Sequence, residues 1–163
     1  MIYDALEQVY TVLNANFVTD FAALVAAKGV TGVVTTTGLE KRQDANTMIR
    51  LRATLPAIGI YAVAATTQAK DQAKRDSVTT VVCEYLALGS DPVALAKQAE
   101  LAAEALCKSI DRVAASGAGV YGGGEARQSV EVVLNQAYTE TVSPNYEQTA
   151  TITFPVWDRD EGL

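Results

Sequence analysis

The residue types with most chemistry to offer lie in Gly117-Ala118-Gly119-Val120-Tyr121-Gly122, which spells G-x-G-x-x-G. That spacing cradles a pyrophosphate when a strand precedes it and a helix N-terminus follows, so that the helix dipole faces the phosphates. Here helical periodicity precedes it, a strand pattern follows, and no G-K-[ST] is present for a P-loop. The glycine loop 117–124 therefore reads as a helix-to-strand connection, and a small nucleotide-binding enzyme using it ranks last among the functional readings. Histidine is absent, which removes Ser-His and Cys-His nucleophile pairs and His-bearing metal sites together. Cys83 and Cys107 are the only cysteines, with no C-x-x-C between them. They read as two buried free thiols behaving as small hydrophobes. The expectation is no enzyme, no cofactor and no metal.

The carboxylates offer little more. Glu100 and Glu104 share one face of a helix pattern, a solvent-directed face on which they repel mildly and form no acid/base dyad. Asp158, Asp160 and Glu161 read as a solvated acidic terminus. Glu84 is the one acid inside an otherwise apolar or hydroxyl-bearing strand, so it belongs on an outer sheet face or pairs across a subunit boundary. Lys70, Asp71, Lys74, Arg75 and Asp76 put both signs of charge into a tip spanning 68–76. Hairpin connections usually run about two to five residues. A longer mixed-charge tip is either a solvated turn or a partner contact whose charges set register and on-rate.

A chain of 163 residues fits one domain, 1–163, and buries roughly 70% of its extended-chain surface on folding. Thirteen basic against 19 acidic residues leave a net charge of −6. Such a balance disfavours nonspecific binding to nucleic acid, which depends on Lys and Arg at phosphates. It still lets a polyanion pass without sticking. The start Met1-Ile2-Tyr3-Asp4 lacks a basic region, and Asp4 and Glu7 interrupt the first stretch, so no signal peptide is expected. No apolar run approaches the ~20 residues of a membrane span, and the expected compartment is a cytoplasm or a particle assembled in one.

The elements that position these residues follow from periodicity. Leu6, Val9, Tyr10 and Leu13, then Phe17, Phe21, Leu24 and Val25, keep helical spacing, in two pieces separated at Asn14-Ala15-Asn16. Thr19-Asp20 would cap the second piece and Lys28-Gly29 would stop it. Val30 to Thr37 has strand composition and suggests an edge strand or arm within an irregular segment at about 29–55. Ala57 to Ala65 and Val78 to Leu88 are strands flanking the charged tip. Ser90-Asp91-Pro92 starts a long helix whose Leu95, Ala99, Ala102, Leu106, Ile110 and Val113 make one apolar stripe. Lys97, Glu100, Glu104, Lys108 and Asp111 make the other face, with Glu104 and Lys108 in the favourable i, i+4 order. Val130, Val132 and Leu134 then share one strand face. Ala150, Ile152, Phe154 and Val156 point inward from a last strand that Pro155 assigns to an edge or a strand end. The fold class is α+β: a mostly antiparallel sheet carrying an N-terminal helix and one long amphipathic helix. Its order is helix-strand-loop-strand-helix-strand-strand. Strand 78–88 is apolar on both faces, so one helix layer leaves a face for the N-terminal helix, a second sheet or another subunit.

Residues 56–116 with the two closing strands resemble the tail terminator and tail-completion (head–tail joining) proteins of long-tailed bacteriophages. The resemblance rests on an N-terminal helix, a strand, a charged loop and a strand opening at Asp76-Ser77-Val78-Thr79-Thr80-Val81-Val82. The alanine-rich helix 95–113 and a closing strand ending in Thr151-Ile152-Thr153-Phe154-Pro155-Val156 complete it. It covers most of the chain except about 29–55, which looks like an insertion. It implies a virion structural protein without catalytic residues, forming a homo-oligomeric ring, typically a hexamer. Such a ring caps the tail tube, stops its polymerisation and presents a docking surface to the head-side connector or neck protein. DNA passes through such a ring without specific binding, and no membrane is involved. The resemblance also implies that Lys70, Asp71, Lys74 and Arg75 are loop contacts to a neighbouring ring or subunit. Glu84 and the glycine loop with Tyr121 would lie near a subunit boundary. Another neck or tail-tube ring protein of the same particle is the alternative.

Overall fold

The computed structural model describes residues 2–33, 38–41, 56–69, 75–115, 130–138 and 146–160. Their elements run α1 (Ile2–Lys28), β1 (Gly38–Lys41), β2 (Ala57–Ala69), β3 (Arg75–Gly89), α2 (Pro92–Ala115), β4 (Glu131–Tyr138) and β5 (Tyr146–Asp160). The strands form one sheet in the order β1-β2-β3-β5-β4. Four of them are mutually antiparallel, and β1 joins β2 in parallel at the edge. The fold is α+β, with an N-terminal helix and a long second helix on a mostly antiparallel sheet.

The expected break in the N-terminal helix is not there: α1 is continuous over 27 residues. Asn16 donates its side-chain amide to the Val12 carbonyl at 2.9 Å, one turn back, so the polar residue is absorbed within the helix. Asp20 does not cap a second helix either. It is 1% exposed and its carboxylate accepts a hydrogen bond from Ser109 of α2 at 2.9 Å. The stop after Lys28 is where the sequence puts it. Gly29 takes φ +62°, its N–H donates to the Ala26 carbonyl, and the Val30 N–H donates to that of Val25. This pair of bonds is a Schellman cap, which favours glycine at the left-handed position. Ala5–Lys28 is long and apolar enough to cross a membrane by length and composition, contrary to the expectation from apolar runs. In this fold its Val9, Leu13, Phe17 and Phe21 are instead buried in the core.

At the start of α2, Asp91 Oδ1 accepts from the N–H groups of Val93 (2.9 Å) and Ala94 (3.1 Å), with Pro92 at the first helical position. The stripe Leu95, Ala99, Ala102, Leu106 and Ile110 is buried, as are Leu101, Ala103 and Ala105 beside it. The second buried flank exists because α1 packs along α2. Two residues of the exposed charged face reach the same neighbour: Glu104 pairs with Lys28, and Lys108 lies 3.9 Å from Asp20.

Both helices share one core cluster with Ile58 and Ile60 of β2, Val81, Cys83, Tyr85 and Ala87 of β3, and Ala150, Ile152, Phe154 and Val156 of β5. These residues occupy a single face of the sheet, since directly opposed partners in an antiparallel ladder point the same way. The N-terminal helix therefore does not cover the second face.

Three strand expectations change. Residues 68–69 and 75–76 are paired within the β2–β3 ladder, leaving only 70–74 as the connection. Side-chain polarity at the tip does not stop backbone pairing, so the tip is of ordinary hairpin length. The first described strand is Gly38–Lys41; residues 30–33 form no strand and 34–37 lie outside the described residues, so the charged Glu40 and Lys41 lie in the sheet. β5 is an interior strand: Pro155 lies two positions beyond Thr153, the last β5 residue opposite β4. Its missing N–H removes no bond from that ladder.

Candidate functional site: the second sheet face and the β4 edge

None of the chemistry weighed from the sequence assembles into a reaction centre among the described residues. Glu100 and Glu104 are exposed on α2, the latter paired with Lys28. Among the described residues no three of His, Cys, Asp and Glu come together as a metal site. Cys83 is buried, and burial pushes its thiol far above the ordinary range, with Cys107 adding to the rise. Cys107 is half-buried, not fully buried as expected. Burial first, then the charges of Asp111 and Glu104, raise its thiol against a backbone hydrogen bond that lowers it. Neither thiol is primed as a nucleophile, which would require a depressed value. The glycine loop lies outside the described residues, but its flanks are α2 before and β4 after. That is the reverse of the order a pyrophosphate site requires.

Of the interface residues singled out, Lys70, Asp71, Lys74 and Tyr121 lie outside the described residues. Arg75 begins β3, its backbone opposite Ala69 and Asp160. Glu84 is on the face of the sheet away from both helices, between Gly59 and Thr151. The Tyr61 hydroxyl donates to its Oε2 at 3.4 Å. Rows of directly opposed residues build this second face, which neither helix covers: Tyr61–Val82–Thr153–Glu131, Gly59–Glu84–Thr151–Val133 and Ala57–Leu86–Thr149–Asn135. Val82 and Leu86 are buried along its midline, and the threonines of β5 are half-buried beside them.

The backbone bulges at Val63, where the β2–β3 register slips between Ala62 and Ala64. A one-residue slip inverts the side-chain alternation. Val63 itself is exposed at this bulge.

All eight residues of β4 are exposed, on both faces. Val132, Val133, Leu134 and Tyr138 are 44%, 49%, 44% and 58% exposed. Val132 and Leu134 share one strand face, as their spacing predicts. They lie on the helix side, opposite Ile152 and Ala150, yet the helices stop short of them. Strands repeat every ~4.8 Å and a helix is about 10 Å wide, so two helices span about four strands and leave a fifth bare. α2 reaches β4 at its start, where Gln136 donates to the Pro92 carbonyl at 2.8 Å. Tyr138 stacks edge-on against its opposed partner Tyr146, with centroids 5.3 Å apart. On its outer side β4 has no described strand neighbour. The signal for this edge was present in Val132-Val133-Leu134, which is apolar on both faces of a strand. Among the described residues the arrangement offers surface and backbone hydrogen bonds.

No protein-family model matches the chain, and no curated protein is significantly similar to it.

Proposed function

We propose that the protein is a structural subunit of a phage particle. It forms an oligomeric ring at the head–tail junction that caps the tail tube, ends its polymerisation and joins it to the head-side connector. The observation that carries the assembly reading is the exposed edge strand β4, apolar on both faces. Natural sheets blunt exposed edges with lysines, prolines or short strands, and β4 carries none of these devices. The tail-terminator assignment rests on the resemblance in element order, which an N-terminal helix, a hairpin, a long helix and two closing strands continue to fit.

In this reading the protein works through two assembly surfaces, one toward the tube and one toward the head. Its place is the virion neck, after assembly in the host cytoplasm. The excess of acidic residues suits a passage through which DNA slides without binding. Mixing the purified protein with cognate tail-tube subunits tests it. A terminator halts tube growth and shortens the length distribution, whereas a tube component is incorporated and extends it. Tubes of unchanged length, with nothing bound, would remove both readings.

A further inference from the structure

We infer that β4 is a self-complementary edge, and that two copies of this chain pair antiparallel through it about a two-fold axis at Asn135. The inference goes beyond the ring reading and does not depend on it. A ring that caps a tube has two unlike ends, whereas a two-fold pair has identical ones. The pair is a property of the free protein, with the adhesive edge covered, and only its placing away from the tube rests on the ring reading.

Three observations select a second β4 as the occupant. The first is length: β4 offers eight residues, all exposed, so seven of them can oppose a second β4 about one axis. The second is register. A two-fold axis normal to the sheet keeps helix side with helix side, so opposed residues must both be even-numbered or both odd-numbered. Centring on Asn135 sets Val132 opposite Tyr138, Leu134 opposite Gln136, Val133 opposite Ala137, and Asn135 opposite its own copy. The Val132–Tyr138 match is a β-branched residue against an aromatic, a favourable cross-strand pair. It also lengthens the row already formed by Tyr138 and Tyr146. The third is charge. Glu131 is the only charged residue of β4, and in this register it falls beyond the paired residues. No like charges oppose one another within the new ladder.

The net charge of −6 on each copy opposes association over longer range. Added salt screens that repulsion and should tighten the pair.

The test is disulfide trapping of the full chain. Asn135→Cys places two thiols opposite one another on the axis. Glu131→Cys places its two thiols eight residues apart along the strands (139 − 131), about 27 Å. Both variants change exposed positions, so folding is not at risk. Under mild copper–phenanthroline oxidation, Asn135→Cys should give a covalent dimer as the main product. Glu131→Cys and the parent chain, with its Cys83 and Cys107, should stay monomeric on a denaturing gel. Sedimentation of the parent chain at tens of micromolar should show a dimer that strengthens from 50 to 500 mM salt. Equal trapping of both variants, or no trapping with a monomer in sedimentation, overturns the inference. Ring images on tail tubes are a separate readout, so failure here leaves the ring reading standing, and the reverse also holds.

Discussion

Ser109 donates a hydrogen bond to the buried carboxylate of Asp20 at 2.9 Å, tying α2 to α1 across 89 residues of sequence. Lys108 approaches the same carboxylate at 3.9 Å from its solvent side. A buried acid is tolerated only when its oxygens are matched, and this site joins the two helices that together cover one sheet face. Asp20→Ala leaves the Ser109 hydroxyl without that acceptor and opens a small void, so stability should fall by about 1–3 kcal/mol. The urea midpoint should drop at unchanged slope. The double variant Asp20→Ala with Ser109→Ala should recover part of the loss, and strict additivity would refute the pairing.

The Asp91 cap is the second test of local chemistry. Its carboxylate serves two N–H groups at the start of α2, and Asp91→Ala should cost ~1 kcal/mol, while Asp91→Ser should cost little. Thermal melts of the three proteins check this. Equal losses for alanine and serine would show that the hydrogen bonds are not what matters there.

Gly29 isolates a backbone effect. A Cβ added there meets nothing within 4 Å, so Gly29→Ala carries no clash and only the strain of φ +62°. Loss of about 1 kcal/mol is expected, and Gly29→Asn should lose less because asparagine tolerates that region better. A neutral alanine variant would contradict the cap geometry.

How much of this was legible depended on whether the controlling interaction was local. The start of α2 was readable because Asp91 and Pro92 act on N–H groups within three residues. The alternation of β5 was readable because both its helix face and its threonine face have period two. Asp20 was misread as a cap because its partner lies on another helix, and a carboxylate at a turn looks the same in either setting. β1 is too short for any period to show, and its parallel pairing with β2 is decided at long range. β4 shows its apolar character on both faces in Val132-Val133-Leu134. Whether its apolar residues are covered depends on the width of the helix layer, which no local pattern encodes.

The thiols carry a pH prediction. An unfolded cysteine ionises near its ordinary value of 9.0, while burial keeps Cys83 protonated in the fold well above that. Above pH ~9 the unfolded chain binds fewer protons than the native one, so stability falls as pH rises, by up to about 1.4 kcal/mol per pH unit. Below that pH both states hold the proton and the contribution is fully present. The slope of stability between pH 9 and 10.5 should be shallower in Cys83→Ala than in the parent, the offset from the lost side chain aside. Identical slopes would show that Cys83 titrates normally in the fold.

The account centres on a protein that works by assembly, and images of tail-tube ends test this most directly. Tubes grown from cognate subunits with the protein present should be short, with a ring of added density at one end. Val133→Lys with Leu134→Lys, which charges both faces of β4, should weaken pairing of the free protein. Tubes that reach their uncapped lengths with bare ends, in the presence of excess folded protein, would contradict the account.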